Sequence, residues 1–228
     1  MTNMLLPPPG EMRASRARHR YQPAASYVNA IHSLCQRLDD LELLPGHATP
    51  SVSIDFGYDI VITPAGRQPG DFHSERLITV SNVNLFNRTA QFYSGSDDAE
   101  LPQQWPLHAY FHRVHGNGVS TIIHGYESKE LLFPDDGIWR PLGIRQTGRP
   151  AEPGTLDEAY AVDALATGPG DWQRYLVVMT GDTVPDGSQI GVFLMDRGYV
   201  QALRRMFEVR NRLEDHRAAQ EKTKPVGL

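Results

Sequence analysis

Three observations lead from this chain of 228 residues to a layered α/β domain. Helix-periodic segments stand before, between and after several short β-rich segments. Proline and glycine punctuate the chain evenly, and no linker splits it into two cores. Hydrophobic residues make up 40% and charged residues 21%, an ordinary globular balance for a chain long enough to bury a substantial core.

Residues 1–24 join Pro7-Pro8-Pro9 to Arg13, Arg16, Arg18 and Arg20, a composition that suggests a flexible N-terminal arm. With Ser26 read as the N-cap, Ile31, Leu34, Cys35, Leu38 and Leu41 recur at helical spacing, and Pro45-Gly46 ends that helix. "SVSI" (51–54) and "DIVIT" (59–63) flank a loop containing Gly57 and read as a hairpin, with "RLITVSN" (76–82) as a third strand. "QQWPLHAYFHRV" (103–114) is a helix with Pro106 in its first turn, where a missing N–H costs little. "GVSTIIHG" (118–125) is a strand and "TLDEAYAVDALA" (155–166) a helix. "YLVVMTG" (175–181) and "SQIGVFLM" (188–195) are two further strands. The last helix is "DRGYVQALRRMFEVRNRLEDHR" (196–217), with Val200, Leu203, Phe207 and Leu213 on or near one face. These limits bound one domain at 25–218, followed by a tail at 219–228.

The net charge of -5 argues against nucleic acid as the main partner, because phosphate binding calls for a basic surface. The single cysteine, Cys35, forms no intramolecular disulfide and is read as helix packing. No apolar run approaches the roughly 18 residues that would span a bilayer, and the N-terminus lacks the apolar stretch of a secretory signal. A cytoplasmic protein without a membrane partner is the expectation. The sequence holds no P-loop, no GxGxxG after a strand, and no serine or cysteine nucleophile motif with its partners.

The chemistry centres on "TIIHGY", where two isoleucines lead a strand to His124 at its polar tip. Tyr126 follows at period two, on the same strand face, and a tyrosine–histidine pair at a cleft transfers protons without a metal. The bland alternatives are a satisfied core histidine and a phenol hydrogen-bonded at a subunit contact. On the preceding helix, Gln104, His108, His112 and His115 recur along one broad face. Histidines at i and i+4 can chelate a metal, whereas the plainer reading sets His112 and His115 on the exposed end of the helix. The acidic turns at 96–100 and 134–137 read as solvated loops, and Arg204, Arg205, Arg210 and Arg212 as a charged outer face.

In order and local wording, these segments resemble the class II aldolase/adducin family over roughly residues 26–215. "SVSIDFGYDIVITPAGRQPGDF" is similar to that family's early strand and "TPSG"-type phosphate turn. "QQWPLHAYFHRVHGNGVSTIIHGY" is similar to its helix beginning near a glutamate and its strand ending in His-x-His. "PLGIRQTGRPAEPGTLDEAYAVDAL" and "YLVVMTGDTVPDGSQIGVFLMDRG" match the later linker, helix and strands. The resemblance implies a three-layer α/β/α domain around a central, largely antiparallel sheet. It also implies homotetramers with sites at the seams between subunits.

The family's enzymes hold a divalent metal through three histidines beside a glutamate. Here only His124 is retained: Tyr126 takes the second position, the third falls near Thr180-Gly181-Asp182, and the glutamate position falls at Gln104. The cofactor is therefore unknown; zinc or iron would need a rebuilt site from His124, His108 and Asp182. The phosphate determinants are altered as well. Pro50-Ser51 stands for the Gly-Asn turn, Pro102-Gln103 for a serine pair, and the phosphate turn keeps Thr63, Pro64 and Gly66 with Ala65 for serine. Ser51, Thr63, Gly66 and Gln103 are thus the substrate-binding expectations.

The resemblance implies a lyase on a small, non-phosphorylated carbonyl or carboxylate compound, working by aldol chemistry, decarboxylation or proton transfer beside a carbonyl. A repurposed enzyme of specialised metabolism fits that pattern. His124 would be the acid/base or ligand, Tyr126 the proton donor, and Gln104 and His108 the orienting groups. Two alternatives stay open at this point: a non-catalytic binding module like the adducin head, and an iron oxygenase or decarboxylase on a rebuilt histidine site.

Overall fold

In a computed structural model the chain is described at residues 9–17, 23–40, 51–57, 59–66, 76–115, 121–128, 144–147, 154–166, 175–180 and 189–196, and at scattered helical positions between 200 and 222. Among the described residues, nine strands form one sheet. They are β1 (Arg13–Arg16), β2 (Ser51–Asp55), β3 (Ile60–Ile62), β4 (Ile78–Asn84), β5 (Thr89–Ser94), β6 (Thr121–Ser128), β7 (Ile144–Thr147), β8 (Tyr175–Thr180) and β9 (Gln189–Asp196). Their spatial order is β1-β5-β4-β3-β2-β6-β9-β8-β7. Only the outermost pairs, β1 with β5 and β7 with β8, run parallel. Every pairing between them is antiparallel, as expected.

The predicted hairpin is β2–β3. Its loop closes where Gly57, at φ +95°, donates its N–H to Asp55 Oδ1 at 2.9 Å, a conformation open to glycine. Three strands escaped the sequence reading. The β4–β5 hairpin has no glycine at its turn; Arg88 takes positive φ instead, Asn84 Oδ1 accepts the Asn87 N–H at 2.9 Å, and Asn82 takes positive φ at the register shift within β4. β7 carries only four residues, too few for an alternation to register. β1 lies inside the segment read as an arm. Its Arg16 guanidinium stacks 5.3 Å from the Phe92 ring centre and donates to Ala99 O at 2.7 Å, which ties the strand to β5 and the turn beyond it.

Among the described residues, three continuous helices flank the sheet: α1 (Ala25–Asp40), α2 (Trp105–Val114) and α3 (Leu156–Ala166). Helix α1 starts at Ala25, so Ser26 lies in its first turn rather than at its cap; Ala24 O accepts the Tyr27 N–H at 2.9 Å. It packs on β2 and β3 with Ile31, Leu34 and Cys35 fully buried. Burial pushes the Cys35 thiol well above its ordinary range, as suits a core residue. Helices α2 and α3 pack on each other across the opposite face. There Ile60, Ile62, Ile78 and Val80 meet Leu107, Tyr110, Phe111, Leu156 and Val162 in the main core. The result is the three-layer α/β/α arrangement.

Helix α3 opens with a reciprocal cap. Thr155 Oγ1 accepts the Glu158 N–H at 3.3 Å, and Glu158 Oε2 accepts the Gly154 N–H at 2.7 Å. Gly154 sits at φ +80°, and a Cβ there would stand 2.4 Å from Gln103 O. The turn before α2 and the start of α3 therefore touch backbone to backbone, and only glycine fits. Among the described residues, no helix is long and apolar enough to cross a membrane.

Burial holds the Glu158 carboxyl up at about 7 against the opposing pull of the Gly154 N–H. The folded state thus binds a proton more readily than the unfolded state, and Glu158's contribution is complete below its unfolded value of 4.5 and lost as pH rises through about 7. Stability should fall across that window by up to about 3 kcal/mol from this group. Denaturant unfolding at pH 4.5 and 7.5 should show that loss in the parent protein and not in Glu158→Gln. Gly154→Ala should lower stability by about 1–3 kcal/mol through backbone strain, read as a shift in denaturant midpoint. Leu107→Ala, which empties a fully buried site, should cost about 2–5 kcal/mol in the same measurement.

Candidate functional site

Every residue of α2 from Trp105 to His112 is buried. A helix enclosed on all sides has no solvent for its polar side chains, so each must find a partner inside the protein. On one side, Tyr110 donates its hydroxyl to Asp163 Oδ2 at 2.6 Å, and His115 Nε2 lies 2.9 Å from Asp163 Oδ1. Burial and the neighbouring carboxylate push the Tyr110 phenol well above its ordinary value, so it remains a donor. Asp163 thereby clamps the end of α2 to α3.

The side of α2 toward β2 is more unusual. Alternation along β2 sends Val52 and Ile54 to one face and Ser51 and Ser53 to the other. Ser51 Oγ lies 2.8 Å from His108 Nε2, and Ser53 Oγ lies 2.6 Å from His108 Nδ1 and 2.7 Å from His112 Nε2. All four residues are at most 2% exposed. Two serines on a strand and two histidines one helical turn apart thus make a continuous buried chain of hydrogen bonds.

The expected site residues occupy distinct places. Backbone pairing sets His124 opposite Ser51 on β2 and opposite Phe193 on β9, while Tyr126 pairs with Gly191. His124 therefore stands directly across the ladder from the head of the serine–histidine chain. Gln104 is the residue before α2, its carbonyl accepting the N–H groups of Leu107 at 3.0 Å and His108 at 3.3 Å, and its side chain makes no capping bond. Gln103 is exposed beside Gly154, and Gly66 is an exposed turn glycine at φ +68°. Thr63 is fully buried: its Oγ1 accepts the Val52 N–H at 3.0 Å and its own N–H donates to Val52 O at 3.0 Å, extending the β2–β3 ladder. Ser51 and Thr63 are thus structural donors and acceptors within the fold rather than open contacts.

Two readings of the histidines change. His112 is not on an exposed helix end: it is buried and bonded to Ser53, because α3 and the sheet enclose α2 together. His115 is enclosed by Asp163. The rebuilt cation site from His124, His108 and Asp182 does not fit as far as His108 is concerned, since serine hydroxyls engage both of its ring nitrogens and leave no lone pair directed at a cation. Asp182 lies outside the described residues, as do the turn at 134–137, Arg205, Arg210, Arg212 and Leu213. Among the described residues, no three histidine, cysteine, aspartate or glutamate side chains gather at metal-binding distance. The other acidic turn is an ion-pair hub: Asp97 meets Arg16 at 3.5 Å and Asp98 meets Arg76 at 3.6 Å.

Sequence reasoning singled out His108 and Ser51 separately but missed Ser53, and with it the link to His112. The signal was present as serines alternating with Val52 and Ile54 in a strand, since a polar residue at a core-facing strand position calls for a buried partner.

No family model matches the chain, and no curated protein matches its sequence. Solved structures match it in fold. An L-fuculose 1-phosphate aldolase superposes with a TM-score of 0.64 over 91% of this chain and 92% of its own, at 14% identity. A sugar-phosphate aldolase from Thermotoga maritima gives 0.63 over 89% and 98%, also at 14% identity. An aldolase II superfamily protein from Pseudomonas syringae gives 0.60 over 91% and 79%, again at 14%.

Ser53→Ala should withdraw the one hydroxyl shared by two buried imidazoles and cost about 1–3 kcal/mol in denaturant unfolding, well above the loss at an exposed serine. By these superpositions, this chain has the class II aldolase fold, in a divergent form.

Proposed function

We propose that the protein is a divergent class II aldolase-like lyase acting on a small, non-phosphorylated carbonyl or carboxylate compound. One observation supports this most directly: in an aldolase fold, His124 lies on β6 directly across the ladder from Ser51, at the head of a buried imidazole chain. The scaffold that carries the family's chemistry is thus still joined to residues able to move protons.

The proposed roles follow from chemistry and place. His124 acts as the acid/base that removes or returns a proton beside the carbonyl, and Tyr126 donates to the departing or developing oxygen. Gln104, at the mouth of α2, orients the substrate, and His108 acts from behind through Ser51. Enolate charge is met by hydrogen bonds from these groups. Gln103 and Gly66, both exposed, contribute to the substrate's surroundings. The burial of Ser51 and Thr63 favours a substrate without a phosphoester, because neither hydroxyl is offered to an incoming anion. A homo-oligomer, tetrameric in the manner of the family, would complete the site at its seams.

The test is a panel of paired compounds, each hydroxy-carbonyl or keto-acid with and without a phosphate, followed by NMR for cleavage and for deuterium uptake beside the carbonyl. Turnover confined to the unphosphorylated members is the expected outcome, with His124→Ala at least about a hundredfold slower. Turnover of the phosphorylated members alone, or a His124→Ala protein as active as its parent, would defeat the reading.

A further inference from the structure

We infer that Ser51, His108, Ser53 and His112 act as a single proton wire behind the strand position of His124. The inference rests on the lyase reading for what the wire serves, while the wire itself follows from counting protons. Ser53 has one hydroxyl proton and two imidazole neighbours, at 2.6 Å and 2.7 Å. If that proton goes to His112 Nε2, His108 must donate from Nδ1 to Ser53, and His108 Nε2 then accepts from the Ser51 hydroxyl. If it goes instead to His108 Nδ1, His112 must donate from Nε2, and His108 donates from Nε2 to Ser51. With both rings neutral, only these two arrangements make every bond: both imidazoles carry their proton on Nδ1, or both on Nε2.

Starting from the first arrangement, the chain carries one proton from Ser51 to His112. A proton accepted at Ser51 Oγ releases the Ser51 proton to His108 Nε2. His108 Nδ1–H then passes its proton to Ser53 Oγ, and Ser53 passes its own to His112 Nε2. One N–H or O–H bond forms for each one broken, and the positive charge ends on His112. The proton returns by the same path, from His112 Nε2 through Ser53 and His108 to Ser51, so nothing beyond His112 is needed to take it.

Every member of the chain both donates and accepts, which conduction requires and which lysine, a donor only, would not allow in the same places. An apolar pair would fill this interior without four buried polar groups to satisfy. The wire ends at Ser51, the buried cross-strand partner of His124, so a proton passed to or from Ser51 has its counter-charge placed one helical turn farther along α2.

The test uses full-length protein labelled with nitrogen-15 at histidine, in the absence of any substrate, so it stands or falls separately from the lyase assay. Ring nitrogen shifts should show His108 and His112 in the same tautomer. Their ring protons should exchange with deuterium together, and faster than the backbone amides of Leu107 and Phe111. Ser53→Ala should separate the two ring exchange rates by at least about tenfold, whereas Ser53→Thr, which keeps the hydroxyl, should hold them together. Opposite tautomers in the parent protein would overturn the wire without any variant. So would ring protons that exchange only at the rate of the α2 amides.

Discussion

A helix buried on every side cannot leave a polar side chain unpartnered, and that constraint on α2 organises the rest of the molecule. An unmade hydrogen bond on a buried imidazole costs about 1–3 kcal/mol, a sizeable share of a domain's net stability. His108 and His112 therefore dictate serines at the two α2-facing positions of β2, and Tyr110 dictates a carboxylate on α3. Each partner also fixes geometry. The serines hold α2 against β2 in one register, and Asp163 holds α3 against α2 through Tyr110 and the residue that ends the helix, His115. The apolar core around Leu107 and Phe111 supplies most of the burial, but these bonds select one arrangement among many that would bury the same area.

The same constraint ties architecture to chemistry. β2 lies at the middle of the sheet, between β3 and β6, so what anchors it to α2 also positions the strand that carries His124. The N-terminal side of α2 is set in turn by the backbone contact of Gln103 with Gly154 and by the cap of α3. Gln104 stands between these two fixed points. The serines, histidines and capping residues around Gln104 are packed and bonded. Such a scaffold keeps its shape while its chemistry is free to change.

Much of the fold was legible in the sequence because its elements carry strong local signals. The hairpin at β2–β3, the strands β4, β6, β8 and β9, and the three helices all announced themselves through periodicity, proline placement or glycine turns. The missed elements lacked such marks. β5 follows a turn built on asparagine and arginine rather than glycine, β7 is four residues long, and β1 hides in an arginine-rich stretch whose stability comes from Phe92 and the turn after β5. Local propensity cannot report a strand whose reasons to form lie some 80 residues away.

By itself, the sequence determined the layered class of the fold, the strand that bears His124 and the packing role of Cys35, because each depends on residue type and near-neighbour spacing. Tertiary structure alone decided which polar residues meet. Ser53 and His112 are 59 residues apart, and nothing in either segment names the other. It likewise decided that His108 is engaged at both nitrogens and that Thr63 belongs to the ladder rather than to a ligand turn. Hydrogen-bond partnership in a buried interior is a property of two surfaces brought together, and it exists only once the chain has folded.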